Sequence, residues 1–290
     1  MKFNIVTIFP EMILSGIQQG VLAQGLKKDL IEVEVHQLRD YSLEKHRHID
    51  DRPFGGGDGM IMKAEPLYDC LEKIKSTDDQ DTYVIYLSPQ GDVLNETKVR
   101  QLAQKKNITL ICGRYGGVDQ RFITECVNEE LSIGDYVLSG GELGALVIVD
   151  AVARKIPGVL GHDESSEKDS FASGLLEEAQ FTKPRDWRGM STPEILLSGD
   201  HQRIAIYKLK VSLLTTALKR ADLFLQNGAE IMQKNKIKAK DLVLFFQTLT
   251  LEEKVSLGFL KHNSQDQLEQ IDQSLLIQIQ TLLKRMGDQK

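Results

Sequence analysis

Apolar positions in the first 160 residues follow two alternating spacings. Short runs rich in β-branched and aromatic residues predict strands at 2–9, 31–36, 83–87, 108–112 and 131–133. Apolar residues at helical spacing predict intervening helices at 11–28, 64–75, 96–105, 119–127 and 143–154. The strand at 83–87 is expected to end at 88–91, because Pro89 and Gly91 interrupt regular structure. Such alternation predicts an α/β domain with a mainly parallel sheet over residues 1–160.

The remainder of the chain has a different pattern. Residues 161–174 are polar with almost no aliphatic side chains, which predicts a flexible interdomain linker. Beyond the linker, apolar residues recur at helical spacing at 200–218, 241–248, 251–260 and 267–286. We therefore expect a small all-helical C-terminal domain over residues 175–290, without strands.

The distribution of charge is informative about binding partners mainly in the second half of the chain. The net charge of −6 argues at first against a nucleic-acid partner. Residues 201–221, however, contain five basic side chains and no acidic one, which predicts local positive surface on the helical domain. A solvated helix face explains such a run about as well as a nucleic-acid contact does.

Cysteine content and hydropathy indicate the cellular setting. Three cysteines without a C-x-x-C pair predict a reducing, cytoplasmic location and argue against a structural zinc site. His46, His48 and Asp50 are possible metal ligands, but their spacing does not close a tetrahedral site, so no metal is predicted there. No run of about 18 apolar residues is present, so no membrane span is expected.

Glycine-bearing loops follow three of the predicted strands, after Leu87, Cys112 and Ile133. The third loop, within 132–142, matches neither the G-x-G-x-x-G nucleotide-binding pattern nor the P-loop pattern. Ligands of open α/β sheets bind at the carboxyl ends of the strands. We therefore expect the three loops to form one pocket.

Seven separated sequence blocks, in order, resemble a known family. They are residues 50–57, 86–91, 112–115, 132–142, 156–161, 169–171 and 196–201. The chain resembles the bacterial tRNA (guanine-N1)-methyltransferase family of knotted (SPOUT) methyltransferases over roughly residues 1–220. The resemblance implies a deep trefoil knot in the parallel-sheet domain. It also implies use of S-adenosyl-L-methionine and a homodimer with each active site at the subunit interface.

The resemblance also assigns the cofactor pocket. The implied lining consists of residues from the three glycine-bearing loops, namely Leu87, Ser88, Pro89, Gly113, Tyr115, Ile133, Gly134, Asp135, Tyr136, Val137, Leu138, Gly140 and Gly141. In physical terms, main-chain amides would bind the edge of the adenine, and apolar side chains would enclose its face.

Catalytic and substrate-binding roles follow from the same resemblance. It implies that Asp169 removes the N1 proton of guanosine 37 in tRNA and that Arg154 stabilises the O6 side of that base. Without the resemblance, a solvated acid and a helix C-terminal arginine would be the simpler interpretations. Asp50, Arg52 and Gly59 are expected to hold a neighbouring guanosine at position 36. Two basic residues of the predicted tRNA-binding domain are expected to contact phosphates, Arg203 and Lys208.

Some departures from the family pattern leave alternatives open. Gly116 stands where the family usually has a glutamate, so a catalytically weakened tRNA-binding homologue is one alternative. Another is a related knotted methyltransferase with a different RNA target. The resemblance suggests a Mg²⁺ requirement, although no dedicated carboxylate cage is visible. Residues beyond about 250 extend past the usual family length, and packing on the chain's own core is the favoured role for 267–286.

Overall fold

A computed structural model describes residues 1–77, 81–161, 169–261 and 265–288. The chain divides into two compact units, Met1–Ser166 and Glu167–Lys290. The predicted linker at 161–174 falls partly outside the described residues, at 162–168. In the described part of the chain, no helix is both long and apolar enough to cross a bilayer.

The first unit is built on a parallel sheet. Over the described residues, five strands lie in the order β2-β1-β6-β5-β7, all parallel to their neighbours. A separate antiparallel pair joins β3 to β4. The strands are β1 (Lys2–Thr7), β2 (Glu32–Gln37), β3 (Asp50–Asp51), β4 (Ile61–Met62), β5 (Tyr83–Val93), β6 (Asn107–Cys112) and β7 (Glu129–Ser132). The parallel-sheet prediction is confirmed.

Helices cover both faces of this sheet, because successive side chains of a strand point to opposite faces. In β6, for example, Ile108 and Leu110 pack into one apolar core, whereas Ile111 packs into the other. Burial on both faces explains why these strands read as continuous apolar runs. The helices are α1 (Pro10–Ile17), α2 (Gly20–Lys27), a 3-10 turn (Leu38–Tyr41), α3 (Ala64–Thr77), α4 (Glu96–Leu102), α5 (Gln120–Cys126) and α6 (Glu142–Ala153).

The expected end of the third predicted strand was wrong. Strand β5 continues to Val93, and both Leu87 and Asp92 pair with Leu131 of β7. Residues 88–91 therefore form a bulge between two paired segments, where Pro89 needs no ladder hydrogen bond. A Cβ atom at Gly91 would lie 2.3 Å from the Glu130 main chain, so this bulge requires glycine.

The second unit is mainly helical, and the prediction that it lacks strands was wrong. Two-residue strands β8 (Asp186–Trp187) and β9 (Met190–Ser191) form a hairpin. Arg188 and Gly189 between them both have positive φ, which is the geometry of a tight two-residue hairpin turn. Helix α8 was not predicted, although its buried residues Phe224, Gly228 and Met232 recur at helical spacing. The helical segments are a 3-10 turn (Glu194–Leu197), α7 (His201–Lys219), α8 (Ala221–Lys234), α9 (Ala239–Thr248), α10 (Leu251–Ser256) and α11 (Gln265–Asp288).

Helix α11 packs on its own unit. Ile279 is fully buried, and Leu282 and Met286 join the same core as Phe224 of α8 and Phe246 of α9. The ammonium group of Lys254, which is 3% exposed, donates a hydrogen bond to Asp272 of α11 at 2.9 Å. The C-terminal helix is therefore an integral part of the core of the second unit.

Replacing Ile279 with alanine is expected to destabilise the second unit by about 2–5 kcal/mol, because a fully buried side chain is truncated to leave a cavity. The matched control is Ile277→Ala on the same helix. Ile277 is 63% exposed, so its loss is expected to change the free energy of unfolding by about 0.5 kcal/mol or less. Urea unfolding followed by the fluorescence of Trp187, the chain's single tryptophan, measures both variants. Equal stabilities for the two variants would contradict the packing of α11.

Candidate active site

A cavity of about 270 Å³ lies beside the bulge of β5 and the carboxyl ends of β6 and β7. This volume is close to the lower end of the range for small-molecule sites, about 300 Å³. Its walls come from the bulge of β5, the loop after β6 and the loop between β7 and α6. The three glycine-bearing loops thus surround one cavity.

Most residues predicted to bind the cofactor line this cavity. Asp135 is the exception, since it is exposed and lies outside the lining. The sequence prediction also missed several lining residues next to the assigned ones, among them Gln90, Arg114, Ser139 and Gly144. Their positions within or beside the same loops were the only available signal.

The second and third loops contact each other closely enough to exclude side chains. The amide of Gly141 donates a hydrogen bond to the Gly113 carbonyl at 3.0 Å. A Cβ atom at Gly141 would lie 2.7 Å from Cys112 Cα, and one at Gly140 would lie 2.1 Å from Arg114 Nε. These glycines therefore allow two loops to pack main chain against main chain along the cavity wall.

The described residues of the cavity wall include no strong proton acceptor. Among the described lining residues there is no carboxylate and no histidine. Burial and, to a smaller extent, the nearby Glu130 carboxylate raise the pKa of the Tyr86 phenol, so this group stays protonated. Burial also raises the pKa of the Cys112 thiol behind the wall, which therefore stays neutral. A base for chemistry in this cavity must come from outside the described lining.

The predicted substrate loop adjoins the rim of the cavity. Asp50 and Arg52 lie at β3, and Gly59 lies in the glycine-rich turn that leads to β4. The amide of Gly116 donates to the Met60 carbonyl at 2.8 Å, which joins this turn to the loop after β6. A Cβ atom at Gly116 would lie 3.1 Å from both Ile61 Cδ1 and the Met60 oxygen. Glycine at position 116 thus allows the turn before β4 to approach the loop after β6 more closely than a larger residue would.

Arg154 does not line the cavity of its own chain. It follows the last turn of α6, ten residues beyond the lining residue Gly144. At about 1.5 Å per residue, this separation corresponds to about 15 Å along the helix axis.

The other predicted site residues lie in the second unit. Asp169 is partly exposed, and its carbonyl accepts a hydrogen bond from the Ala172 amide at 3.1 Å. Arg203 is exposed in the first turn of α7. Lys208 lies farther along α7 and pairs with Glu178 at 2.8 Å. Burial alone would raise the pKa of the Glu178 carboxyl. Hydrogen bonds, of which the one from Lys208 is the strongest, outweigh the effect of burial, so the pKa is lowered.

No metal-binding cluster is formed by the residues that the structure describes. Groups of three or more histidine, cysteine, aspartate or glutamate side chains suitable for a metal ion are absent from this part of the chain. The Mg²⁺ requirement implied by the resemblance therefore stays a prediction.

Comparison with known proteins places this geometry in context. Residues 1–226 match the family model described as "tRNA (Guanine-1)-methyltransferase TrmD". A tRNA (guanine-N(1)-)-methyltransferase of Thermosipho melanesiensis is 47% identical over 234 residues, covering 81% of this chain and 94% of that protein. A protein of the same name from Buchnera aphidicola is 48% identical over 222 residues, covering 76% of this chain and 93% of its own.

A third relative shows how far the similarity extends. The tRNA (guanine-N(1)-)-methyltransferase of Actinobacillus succinogenes is 45% identical over 243 residues, which is 99% of that protein but 83% of this chain. The family model ends before α9, so α9, α10 and α11 all lie beyond the range that it matches.

Proposed function

This chain belongs to the tRNA (guanine-1)-methyltransferase family, and on that premise we propose that it methylates N1 of guanosine 37 in tRNA. The methyl donor is S-adenosylmethionine, and tRNAs with guanosine at position 36 are preferred. One observation carries the proposal. The bulge of β5 and the loops that follow β6 and β7, three adjacent parallel strands, converge on a cavity that has a ligand-sized volume but no described base in its lining.

The cavity fits the proposed cofactor. Leu87, Ile133 and Leu138 supply apolar surface for an adenine face, and the close-packed glycine loops present main-chain groups to its edge. When bound, S-adenosylmethionine supplies a methyl group activated by a sulfonium. The protein's task is then to align the guanine and to handle its N1 proton. The trefoil knot implied by the resemblance is part of this proposal.

Asp169 is the proposed proton acceptor. The target base must leave its stack to reach a cavity of this kind. A carboxylate within hydrogen-bond reach of guanine N1 can then take the proton as the methyl group transfers. The lack of any carboxylate or histidine in the described lining supports a base supplied by another segment.

Arg154 is proposed to serve the cavity of a second copy of the chain. On α6, Leu143 and Val147 are 50% and 45% exposed. Val147 is four residues and Arg154 eleven residues beyond Leu143. At 3.6 residues per turn these separations are about one and three turns, so all three side chains lie on the same face of the helix. An exposed apolar stripe that leads to an arginine suits a symmetric dimer interface. Across such an interface, the guanidinium would neutralise negative charge developing on guanine O6.

The tRNA is proposed to contact both units. Asp50 can accept hydrogen bonds from the N1 and N2 edge of guanosine 36, and Arg52 and Gly59 complete that contact. In the second unit, phosphate contacts are proposed for Arg203 and Lys208.

Replacing Arg203 with alanine is expected to weaken tRNA binding and to reduce the slope of log K against log salt by about one, because one phosphate contact is lost. Lys208→Ala is expected to have a smaller effect, because Glu178 already pairs with Lys208 at 2.8 Å. The matched control is Arg285→Ala, at an exposed position in the last turn of α11. Filter binding at several salt concentrations measures all three. An unchanged slope for Arg203→Ala would remove this turn of α7 from the RNA surface.

The proposed function is tested by single-turnover methylation of an unmodified tRNA transcript with labelled S-adenosylmethionine. Transfer is expected to the transcript with guanosine at 37 and to be lost when that base is changed to adenosine. Transfer to a different base would favour the alternative RNA target. Tight tRNA binding without any transfer would favour the weakened homologue suggested by Gly116.

A further inference from the structure

A buried carboxylate beside the cavity has no role in the proposed chemistry. Glu142 begins α6 and is 0% exposed, although it does not line the cavity. A buried charge is costly unless charged or polar partners compensate it. The partners of Glu142 therefore indicate what this residue does.

Three donors from two other segments converge on Glu142. The Thr7 hydroxyl, at the end of β1, donates to Oε1 at 2.7 Å. Arg114, in the loop after β6, donates to Oε2 through Nε at 3.0 Å and through Nη2 at 2.8 Å. The Phe9 amide in turn donates to Thr7 Oγ1 at 2.9 Å. Glu142 thus fixes the position of the Arg114 side chain.

Arg114 in turn holds the third loop of the cavity. Its Nη1 donates to the Ser139 carbonyl at 3.2 Å, and its guanidinium stacks 4.5 Å from the centre of the Phe9 ring. The main chains of Arg114 and Gly140 also form an isolated antiparallel bridge. Any side chain at Gly140 would collide with Arg114, which shows how closely this contact is built.

We propose that Glu142 and Arg114 form a latch that holds the loops after β6 and β7 in the shape of the cavity. Glu142 is a positioning residue, because it acts through Arg114 and not on the ligand. Since the same loops are the proposed cofactor site, the latch sets the affinity for S-adenosylmethionine, and this part rests on the proposed function. Turnover at saturating cofactor depends on it much less.

Hydrogen exchange in the ligand-free protein tests the latch directly. In Glu142→Gln, amide exchange is expected to rise on the order of tenfold or more in residues 113–117 and 134–141, because a charged hydrogen-bond partner is lost. Exchange in α3, on the other face of the sheet, is expected to stay unchanged. Unchanged exchange in the two loops would overturn the proposal. An equal rise in α3 would overturn it too, because it would show general destabilisation.

A second variant covers the case in which Glu142→Gln does not fold. Arg114→Lys keeps a positive charge near Glu142, but a single ammonium group cannot reproduce the planar fork that reaches both Glu142 and Ser139. The matched control is Arg100→Lys in the Arg100–Glu96 pair of α4, which is joined at 2.9 Å away from the cavity. Loop exchange is expected to rise in Arg114→Lys and not in Arg100→Lys. Similar exchange in both would overturn the latch.

Calorimetric titration with S-adenosylmethionine gives the functional measurement. The Kd of Glu142→Gln is expected to rise on the order of tenfold, with kcat at saturation changed much less. Arg114→Lys is used only in the exchange measurement, because Arg114 itself lines the cavity. A fall in kcat with unchanged Kd would contradict the positioning role. If the wild type did not bind S-adenosylmethionine, the proposed function would fail, whereas loop exchange would still decide whether the latch exists.

Discussion

Replacing Asp169 with alanine is expected to lower the rate of single-turnover methyl transfer by ~10²-fold or more, as for the loss of a general base. The reason is the composition of the cavity wall, whose described residues include no carboxylate or histidine that could take the proton instead. Binding of S-adenosylmethionine is expected to survive, because Asp169 belongs to the second unit and the cavity to the first. Rapid-quench assays with tRNA transcript and titration calorimetry measure the two quantities.

A pair of matched amide substitutions separates loss of the Asp169 carboxylate from loss of side-chain size and from a general loss of negative surface charge. Asp169→Asn keeps the size of the side chain but cannot accept the proton, so it is expected to be as slow as Asp169→Ala. Glu252→Gln makes the same chemical change at an exposed position of α10 and is expected to retain the wild-type rate. A transfer rate of Asp169→Asn equal to that of the wild type would exclude Asp169 as the base.

Methyl transfer lost in an Arg154 variant is expected to be restored when a second chain supplies its own Arg154 in a mixed dimer. Arg154→Ala and Gly144→Leu should each abolish transfer, the first by removing the cation and the second by filling the cavity. A Cβ atom at Gly144 meets Leu87 at an ordinary 3.5 Å, so the larger side chain can be accommodated only by using cavity space. If Arg154 acts across a dimer interface, mixed dimers contain one intact site. An equal mixture should then recover about one quarter of wild-type activity, since half of the dimers are mixed and each has one working site of two.

Coexpression of the two variants with different affinity tags allows the mixed dimer to be purified, and this dimer should show about one half of wild-type activity because one of its two sites is intact. Sedimentation velocity of the wild type supplies the independent measurement, with a dimer expected. A monomeric wild type would contradict the interface assigned to Leu143 and Val147. A dimer without recovered activity would show that Arg154 serves its own chain.

Much of the first unit could be predicted because its pattern is physically simple. Strands buried on both faces, such as β6, are continuous apolar runs, and the glycines that follow them mark where the chain leaves the sheet. Because ligands of open α/β sheets bind at the carboxyl ends of the strands, the same glycines also predicted that the three loops form one pocket. The bulge of β5 could not be predicted, because Pro89 and Gly91 give the same local signal whether a strand ends or resumes. Its continuation depends on pairing with Leu131, more than 35 residues away in the sequence.

Long-range contacts limited the prediction of the site as well. Arg114 was a motif residue without a role, and Glu142 was the last residue of a glycine-rich block. Only the fold shows that they meet, together with Thr7 from the start of the chain. In the second unit, the hairpin at Trp187 was missed because strands of two residues are too short to show alternation. Helix α11 was predicted because its stripe is long and regular.

The packing of α11 has a consequence for the order in which the protein matures. Residues 1–161 contain all the strands of the parallel sheet, so the first unit can fold while the remaining chain is still being translated. The core of the second unit stays open until Ile279, Leu282 and Met286 have left the ribosome. A nascent or prematurely terminated chain would thus have a formed cavity in its first unit but an incomplete second unit. Such chains would expose the apolar surface that α11 normally covers.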